Sequence, residues 1–122
     1  MRFEPLTSEL LNLFYGAGLP RTARGYAYLE GDEVLGVFGL SFDKPGERWV
    51  AFMEVKPEFR DRIERASSKR ALIEGGRMLV ELIKRTAGAV HAAASEDVER
   101  APAFLQRLGF KHLTDNVYGW PR

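Results

Sequence analysis

The chain has no cysteine among its 122 residues, which excludes a disulfide framework, a thiolate nucleophile and any cysteine-ligated zinc. Its two histidines, His91 and His112, are too few for a histidine-rich metal cage, so no metal is expected. Long hydrophobic runs are missing too: the central stretch Val34 to Leu40 is far too short to span a bilayer, and no membrane association is expected. The opening Met1-Arg2-Phe3-Glu4-Pro5 lacks the apolar core of a signal peptide, making the cytoplasm the default location. Nor does one charge dominate. Eighteen Lys and Arg against seventeen Asp and Glu leave a formal net charge of +1, which argues against a dedicated nucleic-acid binder. Repeats, low-complexity tracts and linkers are absent. What is there, 45% hydrophobic, 11% aromatic and 29% charged residues, is the composition of one globular domain over residues 1–122.

Periodicity divides the chain into elements. Arg2 to Leu6 reads as a short strand, with Pro5 tolerable near a sheet edge. Thr7 or Ser8 offers a hydroxyl to cap a helix whose face is Leu6, Leu10, Leu13 and Ala17, ended by Gly16, Gly18 and Pro20. Ala23 to Glu30 and Glu33 to Phe42 read as a hairpin across the turn Gly31-Asp32. In the second strand Val34, Gly36, Phe38 and Leu40 fall on one side, and Leu35, Val37 and Gly39 on the other. Both sides are apolar, which predicts a strand covered on both faces. Arg48 to Val55 is a third strand, with Trp49, Ala51, Met53 and Val55 opposite Val50, Phe52 and Glu54. The segment Lys56 to Arg70 holds six basic and three acidic residues and reads as an exposed loop ending in a serine cap at Ser67-Ser68. Ala71 to Arg85 is strongly helical, with Leu72, Gly76, Leu79 and Ile83 on one face and Gly76 admitting close approach of a strand. Ala89 to Ala94 makes a further strand of small residues. A helix within Ser95 to Leu108 follows, with Pro102 near its start and Gly109 as its stop. Phe110 to Trp120 closes the chain as a hairpin turning at Asp115-Asn116. The helix between the third and fourth long strands implies a parallel crossover.

Two segments carry a resemblance. Val55-Lys56-Pro57-Glu58-Phe59-Arg60, followed by Arg70-Ala71-Leu72-Ile73, looks like a strand end, proline and arginine leading through a loop into a helix. Ala101-Pro102-Ala103-Phe104-Leu105-Gln106-Arg107-Leu108-Gly109-Phe110 looks like a late helix ending in Leu-Gly-Phe. In this order, and over essentially the whole chain, they resemble the GNAT superfamily of acyl-CoA-dependent N-acyltransferases. The resemblance implies an α/β (α+β) fold with a central mixed, mostly antiparallel sheet, one parallel strand pair and helices on both faces. It implies acetyl-CoA as co-substrate and a small-molecule or peptide amine as acceptor. The third long strand would splay from the fourth, freeing backbone groups from Met53 to Val55 for the pantetheine and the acyl carbonyl. The loop beyond Val55 and the following helix N-terminus, with Ser67 and Ser68, would hold the pyrophosphate.

The departures are as informative. No glycine lies between Arg60 and Gly75, where the family's loop is glycine-rich, and the spacing from Arg60 to Arg70 is longer than the family's. Arg60, Arg62, Arg65, Lys69 and Arg70 are candidates to replace backbone amides with direct charge on phosphate, against the plainer reading of a solvated charged loop. The position where the family has its acidic tyrosine is Leu105, which cannot donate a proton. Tyr118 is the candidate substitute, set against a structural tyrosine. Glu54 is the candidate base, expected to be partly buried on an apolar strand face. His91 on the neighbouring strand is a candidate base or relay, set against a packed, hydrogen-bonded histidine. Tyr26, Tyr28, Phe38 and Trp49 offer either an acceptor pocket or core. Two functions remain open: an N-acetyltransferase, or a non-catalytic binding or structural protein of the same fold, since short glycine-poor versions occur among bacteriophage virion proteins. The closing strand ending in Trp120-Pro121 is a candidate joint for a homodimer.

Overall fold

The computed structural model describes residues 2–16, 23–43, 47–56, 66–94 and 101–121. In chain order its elements are β1 (Arg2–Pro5), α1 (Ser8–Tyr15), β2 (Ala23–Glu30), β3 (Glu33–Asp43), β4 (Arg48–Val55), α2 (Ala66–Lys84), β5 (Val90–Ala93), α3 (Ala101–Leu108), β6 (Lys111–Thr114) and β7 (Val117–Gly119). The seven strands form one sheet in the order β1-β2-β3-β4-β5-β7-β6. Only β4 and β5 run parallel among the described pairs. The mixed sheet with a single parallel crossover is the architecture that the order of elements implies.

Local chemistry sets the ends of these elements. The Thr7 hydroxyl accepts the Leu10 amide at 3.1 Å and starts α1, and Gly16 in the left-handed region ends it, its N–H donating to the Asn12 carbonyl. The hairpin β2–β3 turns at Gly31-Asp32, and β6–β7 turns at Asp115-Asn116. There His112 Nε2 lies 2.7 Å from the Asp115 carbonyl and braces the turn.

The sheet buries both faces. On one, α2 and α3 cover Phe38, Leu40, Ala51, Val90, Ala92 and Tyr118, with Leu79 and Ile83 of α2 fully enclosed. On the other, α1 covers Ala27, Leu29, Val34 and Val37 through Leu10 and Phe14, joined by Leu6, Tyr15 and Phe52. Phe3 and Tyr26 pack on Phe38 with ring centroids 5.7 Å apart, and Tyr28, outside this cluster, packs on Phe3 at 5.2 Å. Phe3, Tyr26 and Phe38 are core packing, and Trp49 joins the same cluster.

Five expectations are corrected. A register shift at Tyr28/Leu29 pairs Leu29 with Val34 and Tyr28 with Gly36, so Leu35 is an extra residue and Val34 joins Val37 rather than Phe38. In α1 Leu11 is buried and Leu10 and Phe14 are partly buried, while Leu13 is 58% exposed; Ala17 lies outside the described residues. Helix α2 starts at Ala66, so Ser67, Ser68, Lys69 and Arg70 belong to its opening turns and not to a loop; Ala, Lys and Arg are good helix formers that a reading by charge mistakes for solvated chain. A methyl on Gly76 would meet Leu108 Cδ2 at 2.9 Å, so this glycine admits α3 and not a strand. Finally, the Trp120 amide donates to the Val90 carbonyl and its ring packs on Phe110. The strand leading to Trp120 is therefore internal, and the sheet edge is β6.

Candidate functional site

The parallel pair β4–β5 is short. Its register runs Trp49↔Val90, Val50↔His91 and Ala51↔Ala92, while β4 continues to Val55. Strand β5 turns instead to β7, pairing Ala93 with Val117, and the Ala94 amide donates to the Asn116 carbonyl at 2.8 Å. Among the described residues, then, β4 runs on alone along this side from Phe52 to Val55, and a wedge opens between it and β5.

Which backbone groups face the wedge follows from the ladder. The Lys56 amide donates to the Leu35 carbonyl at 3.0 Å, so even-numbered residues of β4 exchange hydrogen bonds with β3. The odd-numbered residues present their N–H and C=O toward β5. Trp49 does so, donating to the Ala89 carbonyl at 2.9 Å. Met53 and Val55 repeat that orientation beyond the last paired residue, toward the open wedge. The parallel crossover also brings the N-terminus of α2 to the Val55 end of β4, where orphan amides and the helix dipole favour an anion. The first turn of α2 has no acidic residue, and Lys69 and Arg70 follow at once. Cations at a helix N-terminus are unfavourable by themselves and become favourable beside a polyanion.

Glu54 stands between Met53 and Val55, in the row Ala27–Val37–Glu54 on the α1 face. It is exposed, not partly buried. Tyr15, the last residue of α1, packs like Phe52 against the Ala27, Leu29, Val34 and Val37 cluster, near enough for the Glu54 charge to act on its phenol. Burial first, then the charge and hydrogen bond of Glu54, push the Tyr15 phenol far above its ordinary value. Sequence reasoning missed Tyr15. Its only signal was its place at the end of a helix capped by Gly16.

The other candidates are not gathered here. His91 shares the α1 face but lies level with Val50, four residues or roughly 13 Å along the strand from Glu54. Its Nδ1 is 3.4 Å from Arg48 Nη1, and its half-buried ring lies beside Gly119. Tyr118 is on the opposite face, buried in the row Ala51–Ala92–Tyr118 that closes the wedge at its apex. Leu105 packs against that same cluster. Arg60, Arg62 and Arg65 lie outside the described residues, whereas the Ser67, Ser68 and Lys69 backbone forms the start of α2 and Arg70 is exposed on it. Among the described residues no three His, Cys, Asp or Glu side chains converge on a metal-sized site, and no helix is long and apolar enough to cross a membrane.

No family model matches the sequence, and no curated protein matches it. Solved structures do. The chain is similar to smu.2055 from Streptococcus mutans UA159, with 14% identity over 98% of both chains and a TM-score of 0.62. It is similar to a tyrosine-to-phenylalanine mutant of the AtaT toxin, bound to the C-terminus of the antitoxin AtaR and acetyl-CoA, with 19% identity over 98% of this chain and 92% of that one, and a TM-score of 0.56. It is also similar to the putative N-acetyl transferase YhhK from E. coli bound to coenzyme A, with 17% identity over 99% of this chain and all of that one, and a TM-score of 0.53. The chain has the GNAT fold.

Proposed function

We propose that the protein is an N-acetyltransferase that moves the acetyl group of acetyl-CoA to a primary amine on a small molecule or peptide. The observation that carries this reading is the wedge between β4 and β5, with the Met53 and Val55 backbone facing it and Glu54 exposed at its mouth. The acetyl-CoA and coenzyme A bound to AtaT and YhhK, which share this fold, support the choice of co-substrate. In this reading the pantetheine lies along Met53 to Val55. The pyrophosphate meets the α2 N-terminus, assisted by Arg60, Arg62, Arg65, Ser67, Ser68, Lys69 and Arg70. The amine nitrogen attacks the thioester carbonyl carbon, Glu54 takes its proton, and the carbon–sulfur bond breaks as the amide forms. Holding the two reactants together supplies much of the rate, so a single carboxylate suffices as base. The departing thiolate, whose conjugate thiol has a pKa of about 8.5, takes its proton from Tyr118 at the wedge apex or from water. His91, held by Arg48 away from Glu54, has no part in this scheme.

Titration calorimetry with acetyl-CoA tests the reading. The expected result is a dissociation constant on the order of micromolar, weakened about tenfold (about 1.4 kcal/mol) by Arg60→Ala or Arg65→Ala. No heat with acetyl-CoA or coenzyme A, and no thermal stabilisation at millimolar ligand, would overturn it. That outcome would install the second reading, a non-catalytic protein of the same fold, which Leu105 and the glycine-free span from Arg60 to Glu74 favour.

A further inference from the structure

We propose that Lys56 is a specificity-determining residue which, together with Glu54, selects an α-amino acid as acceptor, Glu54 taking its ammonium and Lys56 its carboxylate. This rests on the transferase reading of the wedge and names the acceptor class within it. The ladder places both groups. Even-numbered residues of β4 exchange hydrogen bonds with β3, and the Lys56 amide continues that series to the Leu35 carbonyl at 3.0 Å. The alternation therefore runs on past Val55, and Phe52, Glu54 and Lys56 leave the backbone on one face. It is the α1 face, since Phe52 packs against the Val37 cluster. Helices α2 and α3 cover the opposite face, where Met53 packs. Lys56 thus stands on the Glu54 side of the strand and not on the side that α2 covers. Lys56 is partly buried and Glu54 exposed. A lysine so placed lays its stem on the protein and keeps its ammonium in water. Among the described residues there is no ion pair between the two. One anion and one cation therefore stand side by side at the wedge mouth without neutralising each other. They leave the strand about 7 Å apart. That spacing suits two charge-assisted hydrogen bonds of about 2.8 Å and the single carbon between the ammonium and carboxylate of an α-amino acid. A polyamine would instead set a second cation against Lys56, and a simple alkylamine would leave that lysine without a counter-charge. The chemistry is that of the scheme above: the nitrogen bonds the acetyl carbon and the carbon–sulfur bond breaks. Of the ammonium's protons one stays in the amide, one passes through Glu54 to solvent and, net, one ends on the thiol. The products are the N-acetyl amino acid and coenzyme A.

The test reads thiol release from acetyl-CoA by the full chain, which has no cysteine of its own to interfere. One probe is an equimolar mixture of the common amino acids other than cysteine; the other is a mixture of isoamylamine, putrescine and spermidine. Release is expected with the amino acids and not with the amines. Lys56→Met, which keeps the stem, should lower the rate at low amino-acid concentration about tenfold or more, the worth of one charge-assisted hydrogen bond. Lys56→Arg should retain most of that rate. Acetyl-CoA affinity by calorimetry should match the wild type in both variants, which separates a lost acceptor contact from a damaged fold. Release with both mixtures supports the proposal only if Lys56→Met lowers the amino-acid rate and spares the amine rate. Release with the amines alone overturns it, as does an amino-acid rate that Lys56→Met leaves unchanged. So does release with neither mixture by a protein that binds acetyl-CoA, a result that leaves the transferase reading standing with a different acceptor. A wild type that binds neither acetyl-CoA nor coenzyme A removes the transferase reading and the role of Lys56 with it.

Discussion

Replacing Gly39 with alanine is the sharpest structural perturbation available in this sheet. Gly39 pairs with Gly25 across β2 and β3. A methyl on Gly39 would lie 2.0 Å from the Arg24 carbonyl oxygen and 2.7 Å from Gly25 Cα, and one on Gly25 would lie 2.1 Å from the Phe38 carbonyl oxygen. All these neighbours are backbone, so no rotamer change relieves them. The strands must part by about 1 Å to bring the closest contact out to 3.0 Å. They would part inside the best-packed region of the sheet, where Ala27 and Leu40 are 0% exposed and Val37 1%. Overpacking a core costs about 1–3 kcal/mol, and a clash between two backbones belongs at the upper end, about 3 kcal/mol. For a domain of this size that lowers Tm by about 10 °C or more. Gly31→Ala is the control. Its φ of +61° carries a left-handed penalty of about 1–2 kcal/mol, yet nothing lies within 4 Å of the added methyl. Urea unfolding followed by circular dichroism should rank Gly39→Ala well below Gly31→Ala. The Gly25→Ala/Gly39→Ala double variant should lose less than the sum of the singles, since one parting of the strands makes room for both methyls. Equal losses for Gly39→Ala and Gly31→Ala, or strict additivity in the double variant, would refute the reasoning.

Three further outcomes follow from the site and the core. Glu54→Gln should lower kcat about 10²–10⁴-fold, the usual range for a general base, with acetyl-CoA affinity by calorimetry unchanged, because the carboxylate faces the acceptor. Ile83→Ala removes a side chain that is 0% exposed beneath the sheet and should cost about 2–5 kcal/mol in urea unfolding. The raised Tyr15 phenol predicts an alkaline loss of stability. Burial and Glu54 make the folded state hold a proton that the unfolded chain gives up near pH 10. This contribution is complete below that pH and is lost as pH rises above it. Unfolding measured between pH 9 and 11 should show a shallower decline for Tyr15→Phe than for the wild type.

Much of the fold was legible because it is written in local chemistry. Thr7, Gly31-Asp32, Gly109 and Asp115-Asn116 each start or end an element through their own backbone preferences, whatever surrounds them. The parallel crossover follows from a helix lying between two strands. The features that escaped depend on partners distant in the chain. The extra residue at Leu35 reverses the side of Val34, and period-two alternation has no sign for a bulge. In an eight-residue helix, the faces through Leu13 and through Leu11 are about equally apolar, and only the sheet beneath chooses Leu11. Gly76 announces a close approach without saying to what, and Leu108 answers from the next helix. At the site, Glu54 could be singled out as a charge on an apolar strand, but its exposure could not, because it depends on partners distant in the chain. Tyr15 was invisible for the same reason: 39 positions separate it from the carboxylate whose charge raises its phenol.

The wedge also bears on how this fold can bind a phosphate chain without loop glycines. Ending a parallel ladder early leaves the Met53 and Val55 backbone groups facing a cleft, and a buried group without a partner costs about 1–3 kcal/mol. Such groups are therefore wet, or they are met by a ligand that carries its own amides and carbonyls along an extended arm. A pantetheine arm does this, and its anchoring requires that the phosphates at its far end be held. Glycines would let the loop backbone come close to those phosphates; arginines reach from a distance and bring charge that backbone amides lack. Exchanging the first device for the second should leave a signature in salt. Binding that depends on Arg60, Arg62 and Arg65 weakens as ionic strength rises, because exposed charges are screened over about 8–10 Å at physiological salt. Amides at the α2 N-terminus, fixed in the helix, lose less. An acetyl-CoA affinity that falls steeply with salt in the wild type and flattens in Arg60→Ala would assign the grip to side chains, and a flat dependence in both would assign it to the helix.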